Sequence, residues 1–344
     1  MGTSIGSLLG SSQAMEKVRA FARRAARVNA PVLLLGETGT GKSLLGRVIH
    51  HQSPRAASPY LAINCAGIPD SLFESEFFGH QRGAFTGARE GRKGFLEQAQ
   101  RGSLFLDEVG ELSTPQQAKL LTALEEGEIR RLGGEGTHRV DVRVLAATSR
   151  DLFKEMATGA FRRDLFHRLA VLVCHIPPLR ERREDIPLLV GRLVKKYQAR
   201  HGRPAISLPA ESVEYLKGLP WPGNVRELAH ILEAAIILSE RSLLDREALY
   251  AAVTMGLESE GGTGDPSRSK LGTVEPEEPR GGTQLRRKRD GRQRYSFFGT
   301  ADEEREAILG ALTRSGGNKS RAAEELGMSR HTLRQRLTRY KLQE

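Results

Sequence analysis

The sequence predicts an α/β protein in which a parallel sheet with helices on both faces is followed by helical segments. From about residue 8 to about residue 172, apolar runs of strand length alternate with stretches of helical spacing, the pattern of strands joined by crossover helices. After Pro177 and Pro178 the pattern is helical to about Leu249. From about residue 302 to the end, helix–short turn–helix spacing predicts a small all-α domain.

Length and composition narrow the class of protein. A chain of 344 residues with 38% hydrophobic residues supports two or three globular domains. It holds no apolar run of the ~18 residues that a membrane span needs, and no secretory leader precedes the first predicted helix. Cys65 and Cys174 have neither metal-site nor disulfide spacing, so both are expected to be small buried residues in a reducing compartment. We therefore expect a cytoplasmic protein without membrane contact.

The charge balance indicates a polyanionic partner. Lysine and arginine exceed the acids enough to give a formal net charge of +11. Double-stranded DNA is the simplest such partner, although charge alone is weak support for it.

The first predicted strand leads into a phosphate-binding loop. Residues 31–35 are apolar, GETGTGKS follows, and helical spacing resumes at Leu44, the strand–loop–helix order that this motif requires. Glycines let successive backbone N–H groups face phosphates, and the helix N-terminus adds positive charge. The predicted nucleotide-binding residues are Gly36, Glu37, Thr38, Gly39, Thr40, Gly41, Lys42 and Ser43. We expect Lys42 to reach the β- and γ-phosphates of ATP and the Ser43 hydroxyl to hold Mg²⁺.

A second buried strand ends in two acids. The run 103–106 is followed by Asp107 and Glu108, and acids at the carboxyl end of a parallel strand face the ligand crevice. We expect Asp107 to bind Mg²⁺, directly or through water, and Glu108 to act as general base on the attacking water. The alternative, an acid that caps the next helix, accounts for one acid better than for two.

Between these motifs lies a string that points to one family. It consists of Gly83, Ala84, Phe85, Thr86, Gly87 and Ala88, and it follows Glu74, Glu76, Phe77, Phe78, Gly79 and His80. The segment resembles the AAA+ domain of the bacterial enhancer-binding activators that work on sigma-54 RNA polymerase. The likeness runs from about residue 9 to about residue 244 and resumes over the last ~45 residues. It implies an AAA+ P-loop NTPase core with a helical lid, and self-association into a ring, a hexamer in the family.

In that family the GAFTGA loop contacts the sigma factor. Glycines on both sides allow wide φ/ψ changes at the tip, which suits a moving contact made by exposed Phe85 and Thr86. The alternative is an ordinary hairpin with a buried Phe85. Phe77 stands where the family usually has leucine.

Two further matches concern control of hydrolysis. By resemblance, Asn64 would hold Glu108 in an inactive pose until the γ-phosphate is sensed, whereas the plain alternative is a strand-end asparagine. Thr148 matches the sensor I position. Ser149 follows it where the family more often has asparagine, and Ser43 stands where many members have glutamate.

Arginines match the family at three positions. Arg162 and Arg168 correspond to a pair of arginine fingers, which act on a neighbouring subunit's nucleotide and so imply an oligomer; a solvated basic helix face is the alternative. The WPGNVREL segment, residues 221–228, makes Arg226 sensor II, reaching the nucleotide from the lid. Asn224 looks like an N-cap with Glu227 completing a capping box. Trp221, the only tryptophan, is expected to pack between lid and core.

These matches divide the chain. We predict an AAA+ core over 5–172, a helical lid over 173–253, a flexible linker over 254–300 and a Fis-type helix-turn-helix domain over 301–344. Glycine pairs, prolines and an acidic run support the linker. Its basic cluster, residues 286–289, fits contact with DNA phosphates and a solvated linker equally well. No sensory domain is expected ahead of the core, so control would lie in expression level or in a separate regulatory protein.

The last segment resembles the Fis-type domain that ends most members of the family. Its predicted inward-facing residues are Ile308, Leu309, Leu312, Ala322, Ala323, Leu326, Leu333, Leu337 and Tyr340, and Asn318 is a predicted helix cap. The predicted DNA-binding residues are Ser329, Arg330, His331, Thr332, Arg334 and Gln335, with Arg339 on the same side. Their side chains suit the major groove. The alternative is a basic three-helix interaction module.

Together the motifs predict an ATP-dependent transcription activator in the bacterial cytoplasm, at the nucleoid. It would bind upstream DNA and use ATP hydrolysis to remodel sigma-54 RNA polymerase from a closed to an open promoter complex. One alternative is a DNA-binding regulator with an AAA+ fold that does not remodel sigma-54. A general AAA+ motor fits less well, because the GAFTGA string and the Fis-like tail have no place in it.

Overall fold

Five parallel strands form the central sheet, as the alternating pattern of the sequence predicts. The strands of the described residues are β1 (Val32–Leu35), β2 (Tyr60–Asn64), β3 (Gly79–His80), β4 (Arg92–Lys93), β5 (Ser103–Asp107), β6 (Glu128–Arg130), β7 (Thr137–Arg139), β8 (Arg143–Thr148) and β9 (Leu172–His175). The sheet order is β2-β5-β8-β1-β9. Both β1 and β8 are buried along their whole length, which is why they read as continuous apolar runs.

The computed structural model describes residues 4–86, 88–239 and 243–260 and, near the C-terminus, 301–315, 318, 319, 321, 322, 333 and 337. The chain divides into two compact units, Met1–Gly272 and Thr273–Glu344. The helices are α1 (Gln13–Ala26), α2 (Lys42–His51), α3 (Asp70–Phe78), α4 (Phe95–Gln98), α5 (Thr114–Glu126), α6 (Leu152–Thr158), α7 (Arg163–Leu169), α8 (Ile186–His201), α9 (Ala210–Gly218), α10 (Asn224–Leu238), α11 (Arg246–Glu260) and α12 (Ala301–Arg314).

Helices cover both faces of the sheet, because successive strand residues point to opposite sides. On one face, Leu33 and Leu104 pack with residues of α3, α5 and α7. On the other face, Leu34 and Phe105 pack against α1 and α2. Since the strands are parallel, the carboxyl ends of β1, β2, β5 and β8 share one edge, and the loops that follow them carry the predicted site residues.

Helices α8 to α11 form a lid with an apolar core of its own. Trp221 lies inside this core, 1% exposed, and donates its indole N–H to the Leu216 carbonyl at 2.7 Å. The expectation that Trp221 packs between lid and core is therefore wrong. A left-handed backbone at Trp221 (φ 51°) turns the chain between α9 and α10, and the indole then satisfies a carbonyl at the end of α9.

The second unit contains an apolar cluster made by helix residues. Its buried members are Ile308, Ala311, Ala322, Leu333 and Leu337. The prediction that Leu309 faces inward is wrong, because its side chain is 41% exposed. In a helix, Ala311 and Leu312 lie on the same face as Ile308, whereas Leu309, the next residue, points away from that face. Asn318 caps as predicted, accepting from the Arg321 N–H at 3.3 Å.

Several predictions fall on residues outside the described ranges. These are most of the linker with its 286–289 cluster, the inward-facing Ala323, Leu326 and Tyr340, and the DNA-binding set Ser329, Arg330, His331, Thr332, Arg334 and Gln335, with Arg339. Gly87 of the GAFTGA loop is a further one.

Both cysteines are buried, as the sequence predicts. Burial raises the pKa of Cys65 to about 12 and that of Cys174 to about 11, which makes both thiols poor nucleophiles near neutral pH. In the part of the chain that the structure describes, no helix is both long and apolar enough to cross a bilayer.

Candidate functional site

The phosphate loop joins β1 to α2 through three glycines in the left-handed range of φ. Gly36, Gly39 and Gly41 have φ of 156°, 80° and 108°. A Cβ on Gly36 would come within 2.8 Å of the Ile176 carbonyl, so a side chain there would displace the neighbouring strand end. The loop therefore needs glycine at these places, and its curl presents backbone N–H groups as an anion-binding concavity.

Lys42 and Ser43 begin α2 and reach back across the loop. The Lys42 ammonium is buried and donates to the carbonyls of Gly36 at 2.8 Å and Glu37 at 3.3 Å. The Ser43 hydroxyl donates to Asp107 Oδ2 at 2.8 Å. Ser43 and Asp107 belong to separate motifs in the sequence, and the fold brings them together. A hydroxyl and a carboxylate side by side are the hard oxygen ligands that suit Mg²⁺.

Glu108 lies between the phosphate loop and the end of β8. Its backbone adopts a left-handed conformation (φ 52°) directly after β5. Oε1 lies 3.4 Å from Lys42 Nζ, and Oε2 accepts two hydrogen bonds from Ser149, from the N–H at 2.8 Å and from the hydroxyl at 2.9 Å. The side chain is thus next to the predicted position of the phosphates.

The two residues matched to sensing lie at neighbouring strand ends. Asn64 is in register with Asp107 across β2 and β5, and its Oδ1 accepts from the Ala66 N–H at 3.1 Å. Thr148 is buried at the end of β8, where its hydroxyl accepts from the Arg150 N–H at 3.1 Å. Both residues are at the edge that carries the acids.

The lid contacts the outer side of the phosphate loop through Asn224. Its Nδ2 donates to Thr38 O at 3.0 Å and Glu37 Oε2 at 3.1 Å, and its Oδ1 accepts from the Leu179 N–H at 2.7 Å. The Arg180 guanidinium binds the Glu37 carboxylate through two hydrogen bonds of 2.6 and 2.7 Å.

The predicted N-cap role of Asn224 is wrong. Asn224 is the first residue of α10, has φ of 55° and directs its amide toward the loop, while Gly223 occupies the cap position. The expected capping box around Asn224 is not made either: the Glu227 carboxylate accepts from the Gly223 N–H at 2.8 Å, and the Asn224 N–H donates to Trp221 O at 3.0 Å.

A cleft of about 390 Å³ lies between the phosphate loop, the N-terminal segment and the lid. Its lining includes Leu8, Leu9, Lys42, Asp107, Glu108 and Arg226. Arg226 is exposed on α10, so its guanidinium is free to approach a ligand in the cleft. Apolar walls with convergent charged groups at one end suit a ligand with a flat base and a polyanionic tail.

Asp185, which sequence reasoning missed, ties the N-terminal wall of the cleft to the lid. The fully buried carboxylate accepts from Ser11 N at 2.6 Å and from the Ser12 N–H and hydroxyl, both at 2.7 Å. Arg19 holds the same segment by donating to Gly10 O at 2.7 Å. The only sequence signal was the charged run 180–185, and such a run is more often a solvated surface.

The two predicted arginine fingers lie away from this cleft. Arg162 pairs with Asp164 at 2.6 Å at the start of α7. Arg168 is exposed on the same helix and donates to the Leu124 carbonyl. Within one chain neither of them lines the cleft.

The GAFTGA loop projects from the β3–β4 hairpin. Phe85 is 44% exposed and its ring meets that of His80 edge to face, with centroids 5.0 Å apart; Thr86 is also exposed. Gly83 has φ of 83° and donates to Ala88 O at 2.8 Å, which closes the turn. The alternative of a buried Phe85 is wrong.

The base of the loop is braced by the segment between β6 and β7. The Gln81 N–H donates to Leu132 O, and the Leu132 N–H donates to Gly79 O, both at 2.9 Å. A Cβ on Gly133 would come within 2.9 Å of the Ala84 Cβ, so the two loops touch closely. The Phe–Thr tip is therefore exposed while its base is held.

Three family models match consecutive parts of the chain. The Sigma-54 interaction domain matches residues 8–175, the AAA+ ATPase lid domain matches 180–264, and the Fis family of bacterial regulatory proteins matches 300–340. Core, lid and helix-turn-helix domain follow one another in the order that the sequence predicts.

Proteins of known role are similar over almost the whole chain. The response regulator protein PilR of Pseudomonas aeruginosa is 41% identical over 330 residues, which cover 96% of this chain and 68% of PilR. The Nif-specific regulatory protein of Azotobacter vinelandii is 42% identical over 325 residues, 94% of this chain and 56% of that protein. The regulatory protein AtoC of Escherichia coli is 38% identical over 335 residues, which cover 97% of this chain and 68% of AtoC.

Solved structures show the same fold. NtrX from Brucella abortus in complex with ATP superposes with a TM-score of 0.67 at 31% identity, over 97% of this chain and 69% of NtrX. The ADP complex of the same protein gives the same TM-score.

Proposed function

Because the chain belongs to the sigma-54-dependent transcriptional activators, with an AAA+ core, a helical lid and a Fis-type DNA-binding domain, we propose that it hydrolyses ATP to remodel sigma-54 RNA polymerase. The product of that remodelling is the open promoter complex. The Fis-type domain would hold the protein on upstream DNA through Ser329, Arg330, His331, Thr332, Arg334 and Gln335.

The cleft supports ATP hydrolysis through residues in distinct roles. Lys42 would neutralise the β- and γ-phosphates, and Glu108 would accept the proton of the attacking water. Ser43 and Asp107 would hold Mg²⁺, which when bound supplies further positive charge to the phosphates. Thr148 and Arg226 would contact the nucleotide from β8 and from the lid.

The positions of Arg162 and Arg168 support a ring of several copies as the active oligomer. Both lie outside their own cleft, so they would stabilise phosphoryl charge on the nucleotide of a neighbouring copy. A closed ring lets every copy both give and receive these residues. We propose a hexamer on the family's pattern.

The observation that carries the remodelling proposal is the exposed Phe85–Thr86 tip on a braced loop. An exposed aromatic ring presents apolar surface to water that a partner protein can cover. Gly83 at the base of the loop allows the tip to move. With an ATP cleft in the same domain, the tip is suited to a contact that hydrolysis moves.

The test is open-complex formation by purified sigma-54 RNA polymerase on a sigma-54 promoter. The full chain is added with ATP or with a non-hydrolysable analogue, at a concentration high enough to make the upstream site unnecessary. We expect opening with ATP alone, loss of ATP binding in Lys42→Ala, and retained ATPase without opening in Thr86→Ala. Intact ATPase with no opening would contradict remodelling and favour a DNA-binding regulator, and normal opening by Thr86→Ala would contradict the loop assignment.

A further inference from the structure

The side chain of Glu108 is held by the residue that follows Thr148. Ser149 donates to Glu108 Oε2 through its N–H at 2.8 Å and its hydroxyl at 2.9 Å. Lys42 Nζ lies 3.4 Å from the other oxygen, Oε1. Both carboxylate oxygens therefore face donors.

Asn64, to which the family resemblance gives the holding role, is engaged elsewhere. Its Oδ1 accepts from the Ala66 N–H at 3.1 Å and so caps the turn after β2. The hydrogen bonds described for Asn64 and for Glu108 do not join the two side chains. Asn64 ends β2, on one side of β5, whereas Ser149 directly follows β8, on the other side.

We propose that Ser149 holds Glu108 in a resting orientation, and that loss of this contact frees Glu108 to act on water. The proposal rests on the ATPase function proposed above. With Oε2 already accepting two hydrogen bonds from Ser149 and Oε1 facing Lys42, neither oxygen of Glu108 is directed at an attacking water in this pose. Bound phosphates would attract the Lys42 ammonium, and Ser149 would then be the remaining holder.

The place of Ser149 links it to the phosphates. One peptide bond joins it to Thr148, which ends β8 in register with Leu35, the residue before the phosphate loop. A γ-phosphate contact at Thr148 would shift the Ser149 donors and with them Glu108. The serine matters because alanine would keep the N–H bond and lose the hydroxyl bond, whereas threonine would keep both.

The experiment measures steady-state ATPase of the full chain, together with affinity for a non-hydrolysable ATP analogue and the unfolding temperature. Variants are Ser149→Ala, Ser149→Thr and Asn64→Ala, with Ser71→Ala as the matched control because Ser71 is exposed on α3. We expect kcat of Ser149→Ala to rise about threefold to tenfold, the effect of losing one hydrogen bond of ordinary net strength. KM, analogue affinity and kcat of Ser149→Thr and Ser71→Ala should match the unmodified chain.

Three results would overturn the proposal: kcat of Ser149→Ala unchanged or lowered, a matching rise in Ser149→Thr, or a rise confined to Asn64→Ala. A purely structural role for Ser149 would lower the unfolding temperature without raising kcat. Glu108→Gln separates the two levels of inference. If the unmodified chain has no ATPase activity, or if its activity survives in Glu108→Gln, the proposed function fails. If Glu108→Gln abolishes the activity and Ser149→Ala leaves kcat unchanged, only the holding role of Ser149 fails.

Discussion

At the scale of single residues, the Glu37 carboxylate of the phosphate loop accepts hydrogen bonds from Arg180 and from Asn224 of the lid. Hydrogen bonds from the Arg180 guanidinium, and to a smaller extent from the Asn224 amide, lower the pKa of Glu37. A carboxyl whose pKa is lower in the folded than in the unfolded chain adds stability above the unfolded pKa. That stability is lost as pH falls through the folded pKa.

Glu37→Gln should therefore destabilise the protein near neutral pH and have little effect only at pH values below the lowered pKa of the folded chain, where the carboxyl is protonated in both folded and unfolded states. Because both partners are partly exposed, the effect is expected to be modest. Denaturant midpoints of variant and unmodified chain, taken across this pH range, measure it. Glu214→Gln, at an exposed site on α9, is the control, and a difference that grows on acidification would contradict the expectation.

Phe77 is the residue where the chain departs from the leucine of its family, and the core has adapted to the ring. Phe77 is fully buried and stacks on Phe73 with centroids 4.2 Å apart. Phe77→Leu should cost about 1–3 kcal/mol through the space left and the lost ring contact. Equilibrium unfolding in denaturant tests this against Phe153→Leu, which alters a ring 63% exposed. Equal losses in the two variants would mean that the Phe77 site repacks around leucine.

At the scale of elements, the start of α10 acts as the link between lid and phosphate loop. Asn224 is fully buried, and its amide bonds four groups: Thr38 O, Pro222 O, Glu37 Oε2 and the Leu179 N–H. The adjacent Val225 N–H adds a bond to Gly39 O at 3.1 Å. Since Arg226 follows directly, the position of α10 sets the position of Arg226 over the cleft.

Asn224→Ala should lower ATP affinity about tenfold, because buried backbone groups lose their partners and the link loosens. Titration with a fluorescent ATP analogue measures this, with His230→Ala on the exposed side of α10 as the surface control. Asn224→Gly separates the amide from the backbone, because glycine accepts φ of 55° without strain. Wild-type affinity in Asn224→Gly would show that the amide contacts are not what positions α10.

At the scale of the whole molecule, the sequence predicted what depends on local order. The phosphate loop, the acids after β5 and the exposed Phe85 tip follow from strand, turn and glycine signals within a few residues of each other. The contacts that the sequence did not predict join distant segments: Asn224 to Thr38, 186 positions apart, and Ser12 to Asp185, 173 apart. Such pairs depend on how lid and core meet, which spacing along the chain does not encode. The bonds from Ser149 to Glu108 belong to the same class.

Removal of residues 301–344 should abolish specific DNA binding and leave ATP hydrolysis intact. The apolar clusters of core and lid are complete without that segment, since their members all precede residue 254. ATPase rates and fluorescence anisotropy with upstream promoter DNA, at matched salt, measure the two activities. Sequence-specific binding by the shortened chain would contradict the assignment of DNA recognition to the Fis-type domain.

The burial of Trp221 gives the protein an optical probe of a single part. It is the only tryptophan in the chain and lies wholly within the lid core. Indole emission shifts to longer wavelength when water reaches the ring, so this signal follows the opening of the lid and is blind to the sheet. Circular dichroism follows the helices and strands of all parts together. If lid and core unfold as one cooperative unit, the two signals will coincide on heating, and if the lid opens first, the fluorescence change will come before the loss of ellipticity.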